Sequence, residues 1–141
     1  MGLLRRLFPQ RSTSDRVLTA VEYRSGDFHQ AIVGEASYQA ELRRIADGRT
    51  ERGEHVEFRA VLVPEPENKY DENAVAVYAE AGGVIGYLDR ELAAERQEDI
   101  IAHVRDKKSH PCCMAVMRGG RGEKRSIGVW LDIDWDEFDN A

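Results

Sequence analysis

The stretch that most limits the fold is "HVEFRAVLVPEPENKYDENAVAVYAEAGGVIGYL", residues 55–88. Val56, Phe58, Ala60 and Leu62 alternate with Glu57, Arg59 and Val61, the period of two that marks a strand with one face buried. Pro64 and Pro66 end that run, because proline brings no N–H to a ladder. Ala74, Ala76 and Tyr78 then alternate with Val75 and Val77. Gly82 and Gly83 supply a turn, and Val84 and Ile85 return, which reads as a hairpin. The centre of the chain is thereby committed to antiparallel sheet.

Helical periods flank this centre. "DFHQAIVGEASY" gives a short strand, His29 to Val33, closed by Gly34. "SYQAELRRIADG" then sets Tyr38, Leu42, Ile45 and Ala46 at helical spacing, with Ser37 as N-cap and Gly48 as the stop. That helix should hide Leu42 and Ile45 and leave Glu41, Arg43 and Arg44 in water. "DRELAAERQEDIIAHVRDKK" aligns Leu88, Leu92, Ile100, Ile101 and Val104 in one stripe, with Asp89 as N-cap and Lys107 and Lys108 at the carbonyl end. "PCCMAVMRGGRGEKRSIGVWLDIDW" reads as two strands joined by a Gly/Arg loop, with Trp130 on one face and Leu131 and Ile133 set for the other. Five or six strands with two α-helices predict an α+β fold, a β-rich small barrel rather than a parallel sheet.

A length of 141 residues suits one domain with ragged ends. We expect an N-terminal amphipathic turn ("GLLRRLF") and linker over 1–19, the domain over 20–135, and an acidic tail over 136–141. No apolar run approaches the ~18 residues a membrane span needs, the N-terminus is too short in apolar residues for a secretory signal, and Arg6 breaks the myristoylation pattern. The chain reads as cytoplasmic. Cys112 and Cys113 are neighbours whose side chains leave a strand on opposite faces, so a disulfide between them would be strained, and two thiols without a second cluster do not make a zinc site.

Charge and motifs remove several function classes. Against 20 Lys+Arg stand 26 Asp+Glu, a net −6, which argues against gripping long nucleic acid by bulk electrostatics. His29, His55, His103 and His110 sit in no nucleophilic triad setting. There is no Walker loop, GxGxxG or HExxH, and "NKYDENAV" lacks the ligands and the glycine of a calcium loop. No catalytic residue, metal or cofactor is expected. The basic loop "MRGGRGEKR" offers Arg118, Arg121, Lys124 and Arg125 as candidate phosphate contacts, or else as a solvated hairpin tip.

Tyr70-Asp71 is the sharper clue. An exposed aromatic ring can stack on a nucleobase, while the adjacent carboxylate repels phosphate but accepts a hydrogen bond from a hydroxyl. The pair therefore suits a strand end carrying a free hydroxyl. The same residues also work as turn chemistry, with Asn68 and Asp71 forming Asx turns and Tyr70 covering the edge of the core.

"IVGEASY", "VLVPEPENKYDENAVAVY" and "VIGYLDRELA" resemble successive blocks of the HIRAN domain family, found in fork-remodelling enzymes and as separate or fused modules in bacteria. The resemblance covers about residues 28–104. It implies an OB-like barrel whose groove binds the 3′ end of single-stranded DNA, with Tyr70 stacking on the terminal base and Asp71 accepting from the 3′-hydroxyl. It further implies Tyr87 near the terminal phosphates, Arg90 paired with phosphate and Tyr38 as a second stacking residue, although Ala36 and Ser37 stand where animal members carry an Arg-Tyr pair. The expected role is that of a non-catalytic DNA-end module with a shallow salt dependence, acting beside a DNA repair or replication enzyme such as a separate helicase or nuclease. The alternative is an interaction domain of the same fold that binds protein or a small ligand and no nucleic acid. A nuclease or hydrolase would need clustered carboxylates that are not evident.

Overall fold

The three alternating runs lie side by side. In the computed structural model, which describes residues 21–120 and 126–141, β3 (Val56–Pro64) pairs antiparallel with β4 (Val75–Ala79), and β4 with β5 (Val84–Tyr87). Before them come β1 (Val21–Glu22), β2 (Gln30–Ala31), a 3-10 turn (Glu35–Tyr38) and α1 (Gln39–Ala46). After them come α2 (Arg90–Lys107), β6 (Pro111–Gly119), β7 (Ile127–Asp132) and α3 (Trp135–Asp139). The strand order is β2-β7-β6-β3-β4-β5, and β1 lies parallel beside β6.

The two free ends of this sheet meet. Val33, just beyond β2, exchanges both backbone hydrogen bonds with Tyr87 at the end of β5, each 2.8 Å. The curled sheet is thus the small OB-like barrel expected from the sequence. Gly86 makes the contact feasible: a Cβ there would stand 2.7 Å from Ile32 Cδ1 and 2.8 Å from the Val33 carbonyl oxygen, closer than a side chain can sit against backbone.

Alternation on β3 holds only at its start. Val56, Ala60 and Leu62 enter the main core with Leu42, Val75, Val77, Ile85, Ile100, Met117 and Leu131. Val61, expected on the outer face, is fully buried, and so is Val63 two residues on. They form a second cluster with Ala76 and Cys112, covered by Tyr78, Val84 and Tyr87. The strand is central, so both faces are covered. Cys112 and Cys113 point into different clusters as free thiols. Burial pushes Cys112 up to about 11 and raises Cys113 as well, which leaves both as inert apolar groups at neutral pH.

The helices depart from expectation in instructive ways. Ser37 does not cap α1. Gly34, with φ +79°, opens the 3-10 turn instead, and α1 begins after it without a side-chain cap. Gln39 binds the backbone of Ile127 at 2.8 and 3.0 Å, which fastens the start of the helix to β7. The left-handed residue that ends α1 is Asp47, one before the predicted Gly48. Asp89 caps α2 as predicted, accepting from the Glu91 N–H. The buried face of α2 is Ala93, Gln97, Ile100 and His103, whereas Leu92, Ile101 and Val104 are half-buried. Two polar residues tolerate burial there because each is hydrogen-bonded.

The sequence reading sets 136–141 apart as an acidic tail. In the structure these residues contribute to α3, whose Phe138 is buried against Tyr23 and stacks on His103, with ring centroids 5.2 and 5.4 Å away. Arg96 of α2 lies over the Trp135 ring and pairs with Asp139 at 2.6 Å. Among the described residues, no helix is long and apolar enough to cross a membrane.

Candidate functional site

Three chain segments converge where the barrel closes: the connection from β2 to α1, the β3–β4 loop, and the junction of β5 with α2. Between them lies an open groove of about 580 Å³ lined mainly by Val33, Tyr38, Tyr70, Asp71, Tyr87 and Arg90. Tyr38, Tyr70, Asp71, Tyr87 and Arg90, singled out from sequence, all line it.

The β3–β4 loop is built by side-chain hydrogen bonds. Asn68 Oδ1 accepts from the backbone N–H of Tyr70 (2.9 Å) and of Asp71 (3.1 Å), and Asp71 Oδ1 accepts from the Asn73 N–H (2.9 Å). The turn chemistry read from the sequence is therefore present, but it does not draw Tyr70 into the core. The Tyr70 ring is 92% exposed, the most open large apolar side chain among the described residues. The fixed backbone keeps the ring in water, so stacking orders only the two side-chain torsions of Tyr70 and not the loop.

Asp71 is less open, with 23% of its side chain exposed. One oxygen holds Asn73, and Oδ2 faces Arg90 Nε at 3.8 Å, beyond hydrogen-bond length. The carboxylate thus retains lone pairs directed to the groove mouth. It can accept a hydrogen bond from a hydroxyl or amine, and Arg90, mostly in solvent, tempers the field that would otherwise repel a nearby phosphate.

Tyr87 behaves differently from a simple phosphate donor. Its hydroxyl donates to Glu65 Oε1 at 3.1 Å, and the same oxygen accepts from Asn68 Nδ2 at 2.9 Å. A phenol has one proton, and here it is committed to Glu65. Burial, then the Glu65 charge and the Tyr38 phenol, raise Tyr87 far above an ordinary tyrosine, so it stays neutral. Tyr87 offers the groove its ring and acts through Glu65 and Asn68 as a brace for the Tyr70–Asp71 backbone. Glu65 was not singled out from the sequence. Its signals were its place in the Pro64-Glu65-Pro66 punctuation and at the head of the block that runs on to Asn68, Tyr70 and Asp71.

Arg118 is not in this groove. Its guanidinium lies over the Trp130 ring, 5.1 Å from the centroid, in a second depression lined by Glu35, Gln39, Ser126 and Gly128. The 3-10 turn contributes to both depressions: Tyr38 lines the first, and Glu35 and Ala36 the second. Arg121, Lys124 and Arg125 lie outside the described residues. No group of three His, Cys, Asp or Glu side chains among the described residues is placed to hold a metal ion.

Comparison with known proteins places this geometry in context. A sequence model described as "HIRAN domain" matches residues 25–115. No curated protein matches the chain. Among solved structures, a protein from Lactobacillus plantarum aligns at 20% identity and TM-score 0.34, covering 72% of this chain and 88% of that one. The HIRAN domain of human HLTF aligns at 19% identity and TM-score 0.30, covering 61% of this chain and 81% of its own.

Proposed function

The chain belongs to the HIRAN domain family, and from that premise we propose that it is a non-catalytic module that holds the 3′-hydroxyl end of single-stranded DNA in the Tyr70–Asp71 groove. The observation that carries this reading is an almost fully exposed aromatic ring on a braced loop beside a largely sheltered carboxylate. The ring supplies a stacking platform for the terminal base. The carboxylate supplies an acceptor for the terminal hydroxyl, a group that an internal nucleotide does not have free. Arg90 reaches a neighbouring phosphate, Tyr38 and Tyr87 form the apolar wall, and Arg118, in the neighbouring depression, is a further candidate phosphate contact, as are Arg121, Lys124 and Arg125 by their charge alone.

With a net charge of −6, affinity rests on the end contacts rather than on counterion release. The chemistry on DNA then belongs to another polypeptide, a repair or replication enzyme such as a helicase or nuclease, to which this module delivers an end. Competition between linear and covalently circular single strands tests the reading. Linear strands should displace a labelled linear probe, and circular strands of equal length should not.

A second reading is favoured by the acidic balance of the chain and by the Asp71 carboxylate at the groove. On this reading the site takes a protein segment with a free hydroxyl or amine, and no nucleic acid binds. Absence of binding to any oligonucleotide at low salt would select it.

A further inference from the structure

Gln97 is the one uncharged amide on the buried face of α2, and it is 6% exposed. Its Nε2 donates to the carbonyl of Glu72 at 2.7 Å and to that of Ala74 at 3.1 Å, which uses both amide hydrogens. The Ala74 carbonyl also accepts from the Glu65 N–H at 2.8 Å, so it ties together β3, β4 and the helix. Between the two carbonyls lies Asn73, whose N–H holds the Asp71 carboxylate. Asn68 therefore fixes the arm of the loop that precedes Asp71, and Gln97 fixes the arm that follows it. Arg90 begins the same helix seven residues earlier, about 10 Å along its axis.

We propose that Gln97 is a positioning residue for the groove. It fastens the loop bearing Tyr70 and Asp71 to the helix bearing Arg90, and so sets the spacing of the carboxylate and guanidinium between which a strand end would sit. This role rests on the proposed function for its meaning but not for its geometry. A side chain of similar length without the amide, as in Gln97→Met, fills the same volume and leaves the Glu72 carbonyl without this donor, so the loop opens more often.

Two readouts are needed. The first uses no DNA: trypsin cleavage after the exposed Lys69, beside Tyr70, relative to cleavage after Arg52 in the loop between α1 and β3. Gln97→Met should raise that ratio by about 2- to 10-fold, the factor one hydrogen bond is worth in a local opening equilibrium. The second is the ratio of affinities for 3′-hydroxyl and 3′-phosphate oligonucleotides, which should fall toward one in the variant. An unchanged cleavage ratio overturns the proposal, as does raised cleavage with the end preference intact, which would make Gln97 a purely structural tie. If the unmodified chain itself ignores the strand end, the DNA-end reading fails, and the cleavage ratio alone then decides whether Gln97 holds the loop. Should Gln97→Met not fold, the side-chain amide protons of Gln97 in the unmodified chain decide the matter. Slow exchange with water supports the tie, and exchange as fast as that of a surface glutamine overturns it.

Discussion

Arg90 and Asp71 face one another across the groove mouth with Nε and Oδ2 3.8 Å apart, 82% of the arginine side chain and 23% of the aspartate side chain being exposed. A pair this open and this long contributes little to folding. Its interest is that both partners remain available, one to a phosphate and the other to a hydroxyl.

Replacing the arginine should therefore spare the fold and weaken the electrostatic part of binding. Arg90→Ala is expected to leave the melting temperature unchanged and to reduce the slope of log K against log salt by about 0.7, the value of one phosphate contact on a single strand. Anisotropy titrations at several salt concentrations measure it. An unaltered slope removes Arg90 from phosphate contact.

Tyr70 gives the complementary expectation. Since its ring touches little of the core, Tyr70→Ala should melt with the parent protein yet lose roughly 1–3 kcal/mol of binding to single-stranded DNA. Tyr70→Phe should retain most of it. Isothermal titration on the three proteins checks both, and full affinity in the alanine variant would contradict stacking.

Much of this arrangement was legible in the residues. Period-two runs gave the central strands, Asp89 marked the start of α2, and the polar turn around Asn68 predicted the Asx geometry that presents Tyr70. What escaped notice was what only three-dimensional closure creates. Val61 reads as part of an outer face because nothing local shows that a second cluster, shared with Val63, will cover it. Glu65 and Gln97 carry no local sign of their roles because their partners lie on other elements, the phenol of Tyr87 and the carbonyls of Glu72 and Ala74. Gln97 did leave a trace, a polar residue interrupting an apolar stripe, which a buried position must satisfy with hydrogen bonds. Phe138 was hidden by its acidic neighbours, whose charge describes the exposed side of a short helix rather than a free tail.

The C-terminal helix should accordingly matter to stability. Phe138 is 6% exposed and contacts the rings of Tyr23, His103 and Trp135, and Phe138→Ala should cost about 3 kcal/mol. Denaturant unfolding gives the value. A cost below about 0.5 kcal/mol, the range of surface substitutions, would mean that α3 does not seal the core.

His103 should make stability depend on pH. Its Nδ1–H donates to the Ser109 carbonyl at 3.1 Å, so in the neutral ring Nε2 accepts from the Tyr23 hydroxyl at 2.8 Å. Burial depresses its pKa below the ordinary 6.5, outweighing the Ser109 carbonyl, which favours the proton. Above 6.5 neither folded nor unfolded chain carries the extra proton, and stability is complete. Below it the unfolded chain protonates first, so stability falls with pH until the folded pKa is passed. The Asp132 carboxylate, where hydrogen bonds from Ser25 and Gly26 outweigh the upward effect of burial, titrates below this window. The melting temperature should drop between pH 7 and pH 5, and His103→Gln should flatten that slope. A flat profile in the unmodified protein would contradict the account.

The most direct measurement compares two oligonucleotides that differ only at the last oxygen. One ends in a 3′-hydroxyl and the other in a 3′-phosphate, and both are titrated into the unmodified chain and into Asp71→Ala. A hydrogen bond from the terminal hydroxyl to Asp71 requires that the unmodified chain prefer the hydroxyl end by about tenfold or more, as expected of a hydrogen bond to a charged group, and that Asp71→Ala lose the preference. Equal affinity of the unmodified chain for both ends would contradict it.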